Sequence, residues 1–408
     1  MAMDVGSDSD SDSSPLLSLP KKKENNRTIV KFAVAAIAVG VLAIFLFFSV
    51  VGNSKNGEGG QCNLFNGRWI PHPSGPSYNN GSCNFIDDAD NCLKNGRPNT
   101  EYLYWRWKPY HCDLPPLDPE KFMNTMQDKS WALIGDSILR NQMMSMICLL
   151  SKVEEPVEVY HDEAYKSRSF YFPSHNLTIA TIWAPFLVKS VTDEDDDGKA
   201  KNEIQLYVDV LEKEWEANYH KYDFVLISGG QWFTKTTVVW ENNQVIGCHN
   251  CREKNLTELG LEYPYRKALE LVFSFISKSD HKPVVIFRTW TPDHFEYGEW
   301  FSGGVCNRTE PYKEGQFNGR ACDHMMRNIE IEEFRKAAAV GSKDGHDMEL
   351  LDVYQLSLLR PDGHPGPYRR YHPFDKDKDA KVQNDCLHWC LPGPVDAWND
   401  LMAKMLLD

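Results

Sequence analysis

Residues 131–150 have the sequence WALIGDSILRNQMMSMICLL, which predicts a strand followed by a helix. It begins with the apolar run Trp131–Gly135, which is typical of a strand that is buried on both faces. Ser137 then begins an apolar helical pattern that extends to Leu150. In open α/β sheets, ligands bind beyond the carboxyl ends of the strands, at the start of the following helix. The stretch therefore predicts an α/β fold with a site at Ser137.

The same alternation of short apolar runs and longer helical patterns continues to the C-terminus. The candidate strands are Trp131–Gly135, Thr178–Trp183, Phe224–Ser228, Val284–Thr289 and Leu350–Tyr354. The candidate helices are Ser137–Leu150, Glu203–Trp215, Tyr265–Ser277, Asp323–Ala339 and Val395–Leu407. Apolar strands separated by helices are typical of a mainly parallel sheet that is covered on both faces. We therefore predict a three-layer α/β domain over residues 118–408.

The segment in front of this domain, residues 61–117, has a different composition. It shows little periodicity but is rich in cysteine and aromatic residues. We predict a loop-rich segment that is held by disulfides and has no independent core. At its end, Asp118 and Pro119 predict the start of a short helix, with the aspartate as N-cap and the proline at the first helical position.

An uncharged run of about twenty residues lies near the N-terminus, at residues 32–51. This length allows a helix to cross a bilayer, and we predict a transmembrane signal anchor. Basic residues are concentrated before the run, which places residues 1–31 in the cytosol and the rest of the chain in a lumen. The tail is rich in Asp and Ser and is predicted to be disordered, and residues 52–60 are predicted to form a stem. The alternative is a cleaved signal peptide, but its apolar region would be unusually long and no clear cleavage site follows.

All 11 cysteines follow the uncharged run, which indicates an oxidising compartment. Cys148 lies in an apolar helical pattern and is predicted to be a buried free thiol. The candidates for disulfides are Cys62, Cys83, Cys92, Cys112, Cys248, Cys251, Cys306, Cys322, Cys386 and Cys390. The candidate glycosylation sites on the lumenal side are Asn80, Asn176, Asn255 and Asn307.

Ser137 is a candidate nucleophile. Its backbone N–H and the N-terminus of the helix that it begins can stabilise a developing oxyanion. Serine is also a common helix N-cap, and a Gly-Asp-Ser triplet alone does not separate the two interpretations.

His388 is a candidate base for this serine. Asp385 and His388 can approach each other within one turn, so that the carboxylate orients one imidazole nitrogen while the other nitrogen faces Ser137. The flanking Cys386 and Cys390 would stiffen the turn if both are in disulfides. Spacing alone also allows three other acid–histidine pairs, namely Asp293 with His294, Asp323 with His324, and Asp362 with His364.

Several longer motifs in a fixed order resemble those of the plant trichome-birefringence-like (PC-esterase) family of polysaccharide O-acetyltransferases. They are YWRW at Tyr104–Trp107, GDS at Gly135–Ser137, FRT at Phe287–Thr289, HFE at His294–Glu296, WFSGGVC at Trp300–Cys306, RPDGHPG at Arg360–Gly366 and DCLHWCLPG at Asp385–Gly393. The resemblance covers the chain from about Cys62 to the C-terminus. It implies an SGNH/GDSL-esterase-like fold behind a single anchor in the Golgi membrane, with the catalytic domain in the lumen.

The resemblance also implies the roles of the site residues. Ser137 would take an acetyl group as an acyl-enzyme, and a sugar hydroxyl would then attack it, while His388, oriented by Asp385, moves the protons. Expected oxyanion donors are the Ser137 amide and the backbone around Gly229, Gly230 and Gln231, although esterases of this type usually have a Gly and an Asn in separate blocks. Two weaker candidates for oxyanion or substrate contact, each with an equally good structural role, are Asn141 and Arg288.

The resemblance further implies that the acceptor is a cell-wall hemicellulose. Galactose in xyloglucan side chains is the first choice, with xylan and glucomannan as alternatives. The same residues would also suit a polysaccharide acetylesterase, and a non-catalytic polysaccharide-binding protein is a third hypothesis. No bound cofactor is predicted, but an acetyl donor is required, either acetyl-CoA or an acetyl group delivered by membrane proteins. The net charge of −14 and the lack of a basic stripe argue against a nucleic-acid partner.

Two further patterns are weighed as ligand sites. The sequence CHNC at residues 248–251 resembles half of a zinc knuckle, but no second pair of ligands follows at a fitting spacing, and no metal is predicted. Tryptophan rings can stack on sugars but are also normal core residues. We expect about two of the following five to meet glycan: Trp105, Trp107, Trp232, Trp290 and Trp300.

Overall fold

The computed structural model describes residues 62–192, 203–251 and 255–407. The predicted cytosolic tail, transmembrane anchor and stem, residues 1–60, lie outside the described residues. Within those three ranges, no helix has both the length and the apolar character that a membrane crossing requires.

The centre of the fold is a seven-stranded mixed sheet whose middle is parallel. With strands numbered in chain order, the parallel neighbours are β13 (Met348–Leu351), β12 (Val284–Arg288), β9 (Phe224–Ser228), β3 (Ser130–Gly135) and β6 (Leu177–Trp183). Two antiparallel strands extend the β6 edge, namely β5 (Arg168–Phe172) and β4 (Val157–His161). The five predicted strands are confirmed, with the last one beginning and ending slightly earlier than expected.

The parallel strands are buried on both faces. Successive side chains of a strand point to opposite faces of its sheet. In β3, Trp131 and Leu133 enter one apolar core, whereas Ala132 and Ile134 enter a second core on the other face. This explains why the strands are continuous apolar runs in the sequence.

Helices cover both faces of the sheet. On one side α2 (Ser137–Leu150) packs against α1 (Pro119–Thr125) and α7 (Asp396–Leu407). On the other side α4 (Glu262–Lys278) packs against α5 (Ala321–Gly341). Two short helices, α3 (Lys213–Asn218) and α6 (Tyr354–Leu358), complete the α-helices of the described residues. The predicted α/β fold, four of the five predicted long helices and the short helix capped by Asp118 are confirmed.

The predicted helix at Glu203–Trp215 is wrong. Ile204–Leu211 forms strand β8, and only the short α3 follows it. Strand β8 belongs to a second sheet with the order β11 (Gln244–His249), β10 (Thr237–Glu241), β8 and β7 (Val188–Val191), and it packs against α4. Ile204, Leu206 and Val208 alternate with more exposed residues, so the period-two pattern of a half-buried strand was present in the sequence.

The cysteine-rich segment shares the core of the α/β domain. Its hairpin of β1 (Gly67–Pro71) and β2 (Trp105–Pro109) brings Trp69 and Trp107 together, with ring centroids 5.8 Å apart. Both rings lie in the same apolar core as α2 and α7. Trp69 Nε1 also donates to the carbonyl oxygen of Leu356 at 2.9 Å, which satisfies its buried N–H.

Five disulfides cross-link the described residues, and four of them join residues at least 50 positions apart. The five are Cys62–Cys112, Cys83–Cys148, Cys92–Cys390, Cys248–Cys251 and Cys306–Cys386. Two predictions about cysteine are wrong. Cys148 is not a free thiol, because the N-terminal segment packs over α2 and places Cys83 beside it. Cys322, a predicted disulfide residue, is instead the free cysteine, because it lies in the first turn of α5 with no cysteine left to pair with it.

Candidate active site

Ser137 lies where β3 ends and α2 begins. The turn between them needs glycine at position 135, because any side chain there would collide with the carbonyl oxygen of Ser228. Asp136 is the N-cap of α2, and its carboxylate accepts a hydrogen bond from the Ile138 N–H at 3.0 Å. Since Asp136 caps the helix, the Ser137 hydroxyl is not needed for that purpose and is available for another partner.

That partner is His388. The Ser137 Oγ lies 2.8 Å from His388 Nε2, and His388 Nδ1 lies 2.8 Å from Asp385 Oδ2. The other carboxylate oxygen of Asp385 accepts the backbone N–H groups of Leu387 at 3.0 Å and His388 at 2.9 Å. The structure therefore brings the three predicted catalytic residues together across 251 positions, in the order nucleophile, base and orienting acid.

Asn141 joins the helix of Ser137 to the turn of His388. Its side-chain oxygen accepts the Trp389 N–H at 2.9 Å, and its Nδ2 donates to the Trp389 carbonyl oxygen and to Asp90, both at 3.1 Å. The Asn141 side chain is buried, with 1% of its surface exposed. A positioning role for Asn141 therefore fits the structure better than the predicted contact with substrate.

Disulfides and backbone hydrogen bonds also hold the turn of residues 385–390, which we call the catalytic turn. Both flanking cysteines are in disulfides, Cys306–Cys386 and Cys92–Cys390, which is the arrangement predicted to stiffen the turn. Asp385 and Gly366 also exchange two backbone hydrogen bonds, of 2.8 and 2.9 Å. The RPDGHPG motif thus supports the acidic end of the turn.

Arg369 is a residue of the site that the sequence analysis missed. Its guanidinium contacts the Asp385 carboxylate and lies 2.6 Å from His388 Nδ1. Burial, followed by the positive charge of Arg369, lowers the pKa of His388 to about 3. His388 is therefore neutral at mildly acidic and neutral pH, as a proton acceptor must be. The available signal was position alone, since Arg369 lies three residues after the RPDGHPG motif.

Backbone N–H groups lie at the same edge of the sheet as Ser137. Strand β9 is the neighbour of β3, and its last residue Ser228 pairs with Gly135. Gly229 and Gly230 follow directly, and among the described residues no acceptor takes their N–H groups. They are therefore candidate oxyanion donors together with the N–H of Ser137.

The remaining residues predicted to contact the oxyanion or substrate are Gln231 and Arg288. Both side chains form hydrogen bonds within the protein instead. The Gln231 amide donates to the Thr291 carbonyl oxygen at 2.6 Å. Arg288 is buried and donates to the Ser228 hydroxyl, with distances of 3.0 Å from Nε and 2.7 Å from Nη2. It also lies 3.4 Å from the Ile138 carbonyl oxygen. Arg288 thus connects the end of β9 to the first turn of α2, and a positioning role fits better than substrate contact.

The alternative histidine bases do not reach Ser137. His294 Nδ1 lies 2.7 Å from His364 Nε2, and His364 Nδ1 lies 2.7 Å from the carbonyl oxygen of His388. Both are buried, which lowers their pKa values. They contact the catalytic turn through the backbone carbonyl oxygen of His388 and not through Ser137. Asp362 forms a buried ion pair with Arg360 at 2.8 Å instead of orienting a histidine.

The other predicted ligand and modification sites differ in their exposure and in their bonding partners. All four sequon asparagines are exposed, and their glycosylation stays a prediction. Cys248 and Cys251 are joined to each other, so their sulfurs are not free thiolates for a metal. Among the five tryptophans considered for stacking on sugars, Trp107, Trp232 and Trp290 are buried in the cores, Trp105 is partly buried, and Trp300 is 46% exposed.

Comparison with known proteins shows the family of the chain. Residues 114–405 match PC-Esterase, the GDSL/SGNH-like acyl-esterase family found in Pmr5 and Cas1p, and residues 60–113 match the PMR5 N-terminal domain. The chain is 50% identical over 395 residues to protein trichome birefringence-like 26 of Arabidopsis thaliana, covering 94% of this chain and 88% of that protein.

Relatives with a named activity are somewhat more distant. Xyloglucan O-acetyltransferase 1 of Arabidopsis thaliana is 42% identical over 346 residues, which are 85% of this chain and 80% of that protein. Xyloglucan O-acetyltransferase 2 of Populus trichocarpa is 41% identical over 352 residues, which are 85% of this chain and 82% of that protein. With the family model matched over residues 114–405, and with the three predicted catalytic residues within hydrogen-bonding distance of one another, the chain belongs to the PC-esterase family of GDSL/SGNH-like acyl-esterases.

Proposed function

We propose that this protein is an O-acetyltransferase that moves acetyl groups through a Ser137 acyl-enzyme onto a cell-wall hemicellulose, with galactose in xyloglucan side chains as the acceptor. The observation that carries the proposal is the hydrogen-bonded series of Ser137, His388 and Asp385. Relatives named xyloglucan O-acetyltransferases, at 42 and 41% identity, support the choice of acceptor.

The geometry supports a reaction in two halves. In the first, Ser137 Oγ attacks the acetyl carbonyl carbon while its proton passes to His388 Nε2, and the leaving group departs with that proton. In the second, a sugar hydroxyl gives its proton to His388 and attacks the acyl-enzyme, and the proton returns to Ser137 as the ester bond to the enzyme breaks. The negative charge on the carbonyl oxygen in each half would be stabilised by the N–H groups of Ser137, Gly229 and Gly230, at about 2.7–4 kcal/mol for one good donor.

The environment of the enzyme is part of the proposal. Five disulfides are typical of a chain that folds in an oxidising compartment. The uncharged run at residues 32–51, with basic residues before it, favours a single-pass anchor with the catalytic domain in a lumen, and the family resemblance favours the Golgi as that compartment. The acetyl donor would be acetyl-CoA or an acetyl group delivered by membrane proteins, and no bound cofactor is invoked.

The test is an acceptor panel with the detergent-solubilised full-length chain. It is incubated with a labelled acetyl donor and with deacetylated xyloglucan, xylan or glucomannan. We expect label in xyloglucan, and a loss of about 10³-fold or more in the Ser137→Ala variant. Label that appears only in xylan, or only in glucomannan, would mean that this polysaccharide and not xyloglucan is the acceptor. Release of free acetate at a rate that no polysaccharide alters would make the protein an acetylesterase, and unchanged transfer by Ser137→Ala would remove the mechanism.

A further inference from the structure

A loop of residues 296–305, which we call the aromatic loop, exposes three large aromatic side chains. Tyr297, Trp300 and Phe301 are 93, 46 and 71% exposed. Single exposed apolar residues need no explanation, but several together on one short loop mark a surface that binds something. The proposed transfer reaction leaves these three side chains without a role.

The aromatic loop has a defined backbone. Its ends are paired, because Glu296 and Val305 exchange hydrogen bonds of 2.8 and 3.0 Å. At its tip the Gly304 N–H donates to the Glu299 carbonyl oxygen at 2.9 Å, and the Glu299 N–H donates to the Ser302 hydroxyl at 2.8 Å. The loop therefore holds its aromatic residues in place before any ligand arrives, which lowers the entropic cost of binding.

Tyr297 provides a second, independent observation. Its φ angle is +61°, in the left-handed region that bulky side chains rarely adopt, although glycine follows it directly at position 298. Such strain costs about 1–3 kcal/mol and is concentrated at functional sites. The backbone here adopts an unfavourable conformation at the residue whose ring is most exposed.

The aromatic loop is attached directly to the catalytic turn. Cys306, next to the end of the loop, forms a disulfide with Cys386, which is the neighbour of Asp385. Gln383 Nε2 donates to the Trp300 carbonyl oxygen at 3.1 Å, two residues before Asp385. The exposed rings are therefore fixed relative to the residues that carry out acyl transfer.

The charge of the loop restricts the ligand class. Its sequence, EYGEWFSGGV, contains two glutamates and no lysine or arginine. Glu296 is paired with Arg308 at 2.6 Å, and Glu299 is exposed. A surface of aromatic rings with a residual negative charge suits a neutral polymer with flat apolar faces, such as a polysaccharide backbone. It does not suit an anionic membrane surface, which attracts basic residues.

We propose that the aromatic loop is the platform on which the neutral polysaccharide acceptor stacks, so that its side-chain hydroxyls reach Ser137. The proposal rests on the proposed acetyl transfer for the identity of the ligand, and it adds the surface that recognises the polymer. Trp300 and Phe301, which lie edge to face with ring centroids 5.5 Å apart, form its centre.

The test separates polymer binding from catalysis. In the full-length Ser137→Ala chain, which cannot turn over its acceptor, the double substitution Trp300→Ala/Phe301→Ala should weaken binding to soluble xyloglucan about tenfold or more, measured by affinity electrophoresis. In the chain with Ser137 intact, the same double substitution should raise KM for xyloglucan at least about fivefold more than KM for a small acetyl ester. Trp300→Phe with Phe301 intact should retain most of the affinity.

The matched control is Val340→Ala, which removes another exposed apolar side chain. Val340 lies in the last turn of α5, shortly before the amino-terminal end of β13, whereas Ser137 lies at the carboxyl ends of the parallel strands. We expect it to leave both measurements unchanged. Equal polysaccharide affinity before and after Trp300→Ala/Phe301→Ala, in a chain with unchanged thermal unfolding, would overturn the platform. Absence of acetyl transfer by the wild-type chain would instead refute the proposed function. The comparison of xyloglucan affinity with and without Trp300 and Phe301 would still show whether the aromatic loop binds the polymer.

Discussion

At the scale of single residues, charge and burial determine which groups can react. Asp136 takes the N-cap of α2, so the Ser137 hydroxyl is left to meet His388. His388 is neutral because its ring is buried and because Arg369 lies beside it. Arg369 also contacts the carboxylate of Asp385, so one cation affects both the position of the acid and the protonation of the base.

The first prediction concerns the pH dependence set by Arg369. Replacing it with glutamine removes a positive charge beside His388, so the pKa of His388 should rise from about 3 towards its usual value. Because the neutral ring is the active form, the acidic limb of the kcat/KM profile for a small acetyl ester should move to higher pH. Arg369→Lys, which keeps the charge, should stay near the wild-type profile, as should Arg370→Gln at the exposed neighbouring position. An acidic limb that stays in place in Arg369→Gln would show that the charge of Arg369 does not control His388.

The second prediction concerns Asn141. Its substitution by alanine leaves the Trp389 N–H and carbonyl groups without their partner, and a buried unsatisfied polar group costs about 1–3 kcal/mol. We expect a lower free energy of unfolding and, because the His388 turn is no longer fixed to α2, a lower kcat with little change in KM.

Asn399 is the matched control for Asn141. It is a buried asparagine whose amide also bonds to α2, donating to the Ser145 hydroxyl at 2.9 Å, but it does not contact the catalytic turn. Asn399→Ala should lower the free energy of unfolding without a comparable loss of kcat. If both variants lose kcat in proportion to their stability, Asn141 has only a structural role.

At the scale of elements, the turn of residues 385–390 depends on attachments that come from elsewhere. It contains no regular helix or strand, and its shape is held by Asn141, by Gly366 and by the disulfides of Cys386 and Cys390. Few of these attachments are local in sequence. The turn is therefore the part of the site that is most sensitive to the loss of a cross-link.

The third prediction tests that sensitivity with two matched disulfides. The double substitution Cys306→Ser/Cys386→Ser removes the cross-link beside Asp385, whereas Cys62→Ser/Cys112→Ser removes one in the N-terminal segment. Loss of either should destabilise the fold by about 2–5 kcal/mol. Only the first should lower kcat of the protein that remains folded, measured at a temperature well below unfolding. Equal kcat in the two variants would show that the Cys306–Cys386 cross-link does not hold the catalytic turn.

At the scale of the whole molecule, the N-terminal segment and the α/β domain are one folding unit. Trp69 and Trp107 lie in the same core as α2 and α7, and the Cys83–Cys148 and Cys92–Cys390 disulfides fasten the segment to the helix of Ser137 and to the end of the catalytic turn. The segment is therefore a structural support for the site, although none of its residues was predicted to be catalytic.

The fourth prediction follows from this shared core. Trp69→Ala should lower the free energy of unfolding by about 3–5 kcal/mol, measured by chemical denaturation, because it removes a buried ring from between the hairpin and α6. Trp105, on the same hairpin but only partly buried, is the control, and Trp105→Ala should cost clearly less. A small effect of Trp69→Ala would mean that the segment packs on the domain without stabilising it.

Local sequence patterns were sufficient to predict the parallel strands and most of the helices that cover them. Apolar runs such as Phe224–Ser228 have one stable environment, the interior of a covered sheet, so the local pattern was sufficient. The prediction failed at Ile204–Leu211, where a half-buried strand was interpreted as a helix. This strand belongs to the second sheet, and both its neighbour β10 and the helix α4 that packs against it lie later in the chain. Ser137, His388 and Asp385 were identified from their motifs, while spacing alone also allowed three other acid–histidine pairs.

Which distant groups come into contact depends on how the elements pack in three dimensions. Local patterns did not predict three sets of contacts: the disulfide of Cys148 with Cys83, the contact of Arg369 with Asp385 and His388, and the attachment of the aromatic loop to the catalytic turn. They also did not predict that Cys322 is a free thiol. Each of these results depends on which residues are close in space, and separation along the chain does not specify that. Hydrophobic patterns specify which face of each element is buried. The packing of those faces against one another then specifies which side chains come within a few ångströms, and the chemistry of this protein depends on that second step.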